Sequence, residues 1–197
     1  MANMNGDRVL VTGASGFIAK CSIAELLRQG YAVRGTVRSL SRRAEIEAAL
    51  VGVGIEAPAI ELFEADLTKD HGWQKALADC RFVLHLASPF PAGEPRHPDD
   101  LIKPARDGAL RVLRAAAGAG VERVVQTSSV VAIMRCDKPD AVARTEADWT
   151  NLDAPDLSTY ARSKTIAERA AWDVMTELAA TSPMTFCSIN PGVVLGP

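Results

Sequence analysis

Little in this sequence points toward a disulfide framework, a metal centre, a membrane or a nucleic acid. Its four cysteines, Cys21, Cys80, Cys136 and Cys187, are scattered without a Cys-x-x-Cys pair. Neither a disulfide frame nor a zinc site is expected, and the thiols read as reduced ones in a cytoplasmic protein. Three histidines occur, His71, His85 and His97, and none stands at metal-ligand spacing from another. No apolar run approaches the roughly 20 residues that a membrane helix needs. Met1–Asp7 is polar and lacks the apolar core of a secretory signal. Charge is nearly balanced, with 22 Lys and Arg against 24 Asp and Glu for a net −2. That leaves no basic footprint for nucleic acid or an anionic membrane. What remains is a 197-residue chain, 48% hydrophobic and 23% charged, without internal repeats. Such a chain suffices for one domain over 1–197 with a sizeable core.

The chain is organised around Val9–Ala19, Val-Leu-Val-Thr-Gly-Ala-Ser-Gly-Phe-Ile-Ala. Arg8–Thr12 is a short, apolar, β-branched run, the pattern of a strand buried on both faces. Gly13 and Gly16 interrupt it, and Phe17–Gln29 takes up helical spacing through Ile18, Ile23, Leu26 and Leu27. A strand that feeds a glycine turn and opens a helix can cradle a phosphate. Gly13 permits the tight turn, Gly16 lets backbone approach a pyrophosphate, and the helix N-terminus offers N–H groups and positive dipole to the anion. Ala19 stands where a third glycine often allows close helix–strand contact. The rival reading is an ordinary βα turn, since glycine patterns also arise by chance.

Further strand–helix alternation follows. Gly30 suits the position after the first helix. Strands are expected at Tyr31–Val37, Ala59–Glu64, Arg81–Ala87, Glu122–Gln126 and Met184–Asn190, and helices at Arg42–Val51, Trp73–Ala78, Leu101–Ala119 and Thr159–Ala180. Pro104 is placed in the first turn of its helix, where a missing N–H is tolerated. Trp73 reads as a packing residue, and His85, inside a buried strand, as a hydrogen-bonded core histidine rather than a catalyst. The Pro-rich loop Pro89–Pro98 follows a parallel strand and is a candidate lip of the site. The pattern predicts an α/β fold, a doubly wound parallel sheet with helices on both faces.

Two sets of residues carry chemistry. Arg38 follows the second strand directly, with Arg42 and Arg43 close behind and no acid at the strand end. An acid there would bind a ribose 2′-hydroxyl, whereas arginine accommodates a 2′-phosphate through charge-assisted, bidentate hydrogen bonds. NADPH is therefore the expected cofactor and NAD the second choice. Arg42 and Arg43 read more simply as the solvated start of a surface helix. Tyr160 and Lys164 stand four apart on one helix and so share a face. A neighbouring ammonium favours tyrosinate, which makes Tyr160 a usable proton donor. Ser129 lies just past a strand end, where its hydroxyl can meet a substrate carbonyl. Exposed helices carry Tyr-x-x-x-Lys by chance; here its weight comes from its position after the glycine turn and the serine loop.

With these pieces in order, the chain resembles the extended short-chain dehydrogenase/reductases, the superfamily of NAD-dependent epimerases/dehydratases. Within that superfamily it is similar to the dihydroflavonol reductase and aldehyde reductase group. The resemblance rests on Thr12-Gly13-Ala14-Ser15-Gly16-Phe17-Ile18-Ala19, Val37-Arg38, Asp66-Leu67, His85-Leu86-Ala87-Ser88-Pro89, Thr127-Ser128-Ser129, Tyr160-Ala161-Arg162-Ser163-Lys164 and Asn190-Pro191-Gly192. It implies a Rossmann-type fold with cofactor contacts at Thr12, Gly13, Ser15, Gly16, Phe17 and Ile18. It further implies that Asp66 and Leu67 hold the adenine, Ala87 lines the cleft, Lys164 binds the nicotinamide ribose, and Pro191 and Gly192 lie near the nicotinamide. The implied reaction is hydride transfer to an aldehyde or ketone, a small-molecule carbonyl, with Ser129, Tyr160 and Lys164 catalytic; a helix-mediated homodimer is also implied. The alternatives are an NAD-dependent sugar-nucleotide epimerase or dehydratase and a non-catalytic dinucleotide-binding regulator; regulators of that kind typically lack the Tyr/Lys pair. Met134 stands where plant dihydroflavonol reductases carry Asn, which speaks against a flavonoid substrate. Family members also run on beyond Pro197 into a substrate lobe. The chain is thus expected to lack that lobe, to bind cofactor poorly and reduce carbonyls slowly by itself, and to associate through an uncovered sheet edge near Val193–Leu195.

Overall fold

The computed structural model describes residues 6–90, 93, 95–139 and 141–196. Part of the Pro89–Pro98 lip (residues 91, 92 and 94), most of the polar N-terminus (residues 1–5) and Pro197 lie outside the described residues. Strands β1 (Arg8–Val11), β2 (Ala32–Val37), β3 (Ile60–Glu64), β4 (Phe82–His85), β5 (Arg123–Thr127) and β6 (Thr185–Ile189) form one sheet. Between them run helices α1 (Phe17–Arg28), α2 (Arg43–Gly52), α3 (Trp73–Leu77), α4 (Asp99–Gly118) and α5 (Thr159–Leu178). All pairings are parallel and the spatial order is β3-β2-β1-β4-β5-β6, the order of Rossmann-type folds. The order reverses between β1 and β4, so a crevice opens beyond their C-terminal ends.

Period-two alternation divides the strands between two cores. Leu10, Val83 and Val124 bury against Val112 and Leu113 of α4 and Ala171 and Val174 of α5. On the opposite face Val11, Val33 and Val37 meet Ile23 of α1 and Ile46 and Leu50 of α2. Gly30 closes α1 at a φ of 83°. Its N–H bonds to the Leu27 carbonyl and the Tyr31 N–H to that of Leu26, a Schellman arrangement. Trp73 is a packing residue, 2% exposed, and its indole N–H is shared between the Asp66 and Lys69 carbonyls.

Several boundaries shift by one or two residues from expectation, and three of the shifts bear on the site and its neighbours. β4 ends at His85 rather than Ala87, because the Leu86 and Ala87 N–H groups turn to the Thr12 hydroxyl at 3.0 and 2.9 Å. α4 begins at Asp99, with acidic Asp99 and Asp100 in its first turn, where they complement the dipole. Pro104 consequently falls in the second turn, and the hydrogen bond it forgoes is the one to Asp100. Finally, Leu40–Arg42 forms a 3₁₀ turn ahead of α2, so the regular helix starts at Arg43.

Gly35 in β2 shows how tightly the glycine turn is seated. A Cβ there would lie 2.7 Å from that of Ala14 and 2.8 Å from a Leu62 methyl. Gly35→Ala is expected to destabilise the fold by about 1–3 kcal/mol through overpacking. A lowered urea midpoint at unchanged m-value is the expected reading, and an unchanged midpoint would contradict it.

Candidate functional site

The glycine turn is built by close approaches. Gly13 has a φ of 69°, and a Cβ on it would meet the Cβ and Cα of Ala87 at 3.1 and 3.2 Å. Gly16 donates to the Gly13 carbonyl at 2.8 Å and serves as N-cap of α1 without a side-chain cap. The first helical bond runs from Lys20 to Gly16. The Phe17, Ile18 and Ala19 N–H groups therefore have no acceptor among the described residues, which suits an anion. Three of the expected contact residues keep their side chains out of the crevice lining. Thr12 is fully buried, and its hydroxyl is engaged by the two backbone N–H groups and by His85 Nδ1 at 2.9 Å. It staples β1 to β4 rather than facing the crevice. The Phe17 and Ile18 side chains are exposed and stay outside the crevice lining; only their backbone N–H groups serve the turn, and the Phe17 ring abuts Gly196.

The crevice has a volume of about 500 Å³. It runs from Arg38, Asp66 and Leu67, past Gly13, Ser15 and Gly16, to Ala87, Ser88 and Phe90. Arg42 and Arg43 are bonded to Glu45 and Glu47, as a solvated helix start would have it. Arg38 is exposed and makes no hydrogen bond or ion pair among the described residues. Thr68 donates to Asp66 Oδ1 from both its N–H and its hydroxyl, each at 2.8 Å. These bonds, with smaller help from Lys69 and Arg38, hold the Asp66 carboxyl below its usual range. Leu67 presses on Gly108 of α4, where a Cβ would come within 2.8 Å.

A second group gathers beyond β5 and β6. Ser158 caps α5 by accepting from the Ala161 N–H at 3.1 Å, which sets Tyr160 and Lys164 one turn apart. Lys164 Nζ lies 5.8 Å from the Tyr160 ring centre. Lys164 is 7% exposed, and burial lowers its ammonium to about 8 despite the opposing Glu168 charge. Ser129 caps the short turn Val130–Ala132 by accepting from the Val131 N–H at 3.4 Å. No direct hydrogen bond joins Ser129 to Tyr160 among the described residues. Pro191 accepts from the Val130 N–H at 3.0 Å, and Gly192 lies beside Val130. Both thus stand with the serine loop rather than in the crevice lining.

Three residues outside the expected set connect these pieces. Phe90 lines the crevice and stacks edge-on against Tyr160 with ring centres 5.4 Å apart. Asn190 Nδ2 donates to the Ser129 carbonyl at 3.1 Å and to Glu168 Oε2 at 2.8 Å. Glu168 is 4% exposed; its spacing of four from Lys164 was the signal that could have singled it out. Among the described residues no cluster of His, Cys, Asp and Glu could hold a metal, and no helix is long and apolar enough to cross a membrane.

Residues 9–197 match the model of the NAD dependent epimerase/dehydratase family. The chain is 36% identical over 197 residues to a cinnamoyl-CoA reductase of Medicago truncatula, covering 98% of this chain and 59% of that protein. It is 33% identical over 208 residues to the dihydroflavonol 4-reductase of Hordeum vulgare, covering 98% and 55% respectively. Among solved structures, the yeast methylglyoxal/isovaleraldehyde reductase complexed with NADPH matches with a TM-score of 0.82 at 31% identity, over 96% of this chain and 59% of that one. The chain thus spans less than two thirds of the length of these relatives.

Proposed function

This chain belongs to the NAD dependent epimerase/dehydratase family, and we propose that it is the dinucleotide-binding domain of an NADPH-dependent reductase converting an aldehyde or ketone to an alcohol. The observation that carries this reading is the continuity of the crevice. It begins at Arg38, passes the glycine turn, and ends at Phe90, whose ring touches Tyr160. The relatives named for cinnamoyl-CoA and methylglyoxal reduction support a carbonyl substrate. A sugar-nucleotide epimerase using NAD is disfavoured by arginine at the end of β2.

The residues present fit a dinucleotide. Asp66 and Leu67 would hold the adenine, Arg38 the 2′-phosphate, and the free N–H groups after Gly16 the pyrophosphate. Gly13 and Ala87 line the crevice and pack so closely that a Cβ on Gly13 would be crowded by Ala87. When bound, NADPH would supply the hydride delivered to the carbonyl carbon. Tyr160 gives its phenolic proton to the carbonyl oxygen. Ser129 orients and polarises that oxygen through its hydroxyl, and Lys164 stabilises the tyrosinate left behind and binds the nicotinamide ribose; Pro191 and Gly192 close the nicotinamide end. The cytoplasm is the proposed setting, in keeping with four free cysteines, and a homodimer is proposed on the family resemblance alone.

Arg38→Ala tests the cofactor assignment. It removes a charge-assisted contact of about 1.5–3 kcal/mol, so NADPH affinity should fall roughly 10- to 100-fold while NADH affinity stays nearly unchanged. Calorimetric titration of both nucleotides reads this directly. Equal or tighter binding of NADH to the unmodified protein would overturn the assignment.

A further inference from the structure

Beside Lys164 lies a small chamber that adjoins the crevice at Ala87 and Ser88. It has about 10 Å³ of space for a water centre, close to the least that holds one molecule. Its polar walls are His85 at the end of β4, Ser88 after it, Gln126 and Thr127 at the end of β5, Ser128 just beyond, and Lys164 itself. Ala105 and Ala109 of α4 and Ala167 of α5 line it on the helix side. His85 and Gln126 are register partners on neighbouring strands, so their side chains rise from the same face.

What marks the chamber is an excess of unmet hydrogen-bonding capacity. Gln126 Oε1 and Ser128 Oγ are buried and have no hydrogen-bond partner among the described residues. Lys164, 7% exposed, makes no hydrogen bond or ion pair among the described residues. His85 spends Nδ1 on Thr12, which leaves Nε2 to be satisfied. Buried polar groups are seldom left unpaired, because each orphan loses the hydrogen bonds it made to water and regains none. Several orphans converging on a water-sized space have one economical solution: a single water makes two to four bonds at once.

We propose that this chamber is a buried-water site, and that Gln126 and Ser128 are positioning residues that hold the Lys164 ammonium through that water. Gln126 Oε1 accepts from the water, Ser128 Oγ accepts or donates, and the water's oxygen accepts from Lys164. Lys164 is then braced from the chamber, which keeps its charge directed along the shared helix face. The charged and titratable groups around Lys164 are His85 from β4 and Tyr160 and Glu168 from α5; α4 presents only alanine here. The inference rests on the role given to Lys164 under the proposed function, but its tests do not need catalysis.

A crystal structure fine enough to show ordered solvent should place a water within hydrogen-bond distance of Gln126 Oε1 and Ser128 Oγ. An empty chamber, or Gln126 bonded directly to Lys164, would overturn the proposal. In solution, Gln126→Leu and Ser128→Ala remove one acceptor each. Losing an acceptor disfavours a buried ammonium, so the Lys164 ε-methylene resonance should titrate roughly one unit lower in each folded variant. Gln126→Glu should move it upward. A purely packing role would change the melting temperature and leave the Lys164 midpoint in place, and that result in both folded variants also overturns the proposal. Failure of the unmodified protein to bind NADPH would count against the proposed function and leave the water and the titration shift standing.

Discussion

In a version of the protein that includes a substrate lobe, Tyr160→Phe is expected to lower carbonyl reduction by about 10²–10⁴-fold while NADPH affinity stays within a few-fold of the same protein with Tyr160. The substitution removes only the phenolic hydroxyl. The ring remains, and with it the edge-on contact to Phe90 at 5.4 Å and the neighbouring Lys164 Nζ at 5.8 Å. The crevice contacts at Arg38, Asp66 and the glycine turn are untouched, so binding and chemistry should separate cleanly. Nucleotide titration beside an NADPH-oxidation assay on simple aldehydes measures both. Near-normal reduction by Tyr160→Phe would mean that some other group supplies the proton.

The parts legible in the sequence are those governed by local rules. Gly13 announces a left-handed turn, period-two strands announce the sheet, and a spacing of four puts Tyr160 and Lys164 on one face. Arg38 is legible because it directly follows β2, and that position places it in the crevice lining. Residues whose roles depend on distant partners were hidden. Thr12 looks like a turn residue beside a glycine motif, yet its hydroxyl is consumed by residues 73 to 75 positions away. The same staple shortens β4, which apolar content alone extends to Ala87. The start of α4 was missed because Asp99 and Asp100 look like loop until the dipole they complement is recognised. Phe90, Glu168 and Asn190 fall within the expected lip, helix and strand, but only packing brings Asn190 between Glu168 and the Ser129 carbonyl.

Acid should unfold this protein in a pH range set by one histidine. His85 is fully buried, and its imidazolium is disfavoured first by burial and then by the Lys164 charge, which together lower it to about 3 from the usual 6.5. Between those values the unfolded chain takes up a proton that the folded chain refuses. Stability is therefore highest above pH 6.5 and is lost as pH falls toward 3. Over the full window the loss is on the order of 4–5 kcal/mol, a large share of the roughly 5–15 kcal/mol of a typical domain. Asp66 and Asp148 also add acid lability, since both are held below 3.8, but they titrate beneath pH 4.5. The interval from pH 6.5 to 4.5 is accordingly dominated by His85, which should remove about 2 kcal/mol there. His85→Gln keeps a polar group near Thr12 and cannot become a cation. It should start less stable at pH 7, because the fit to Thr12 is imperfect, yet change little between pH 6.5 and 4.5. Urea midpoints of both proteins at the two pH values make the comparison. If His85→Gln loses stability in parallel with the unmodified protein, the acid sensitivity resides elsewhere and the neutral, buried His85 is not its cause.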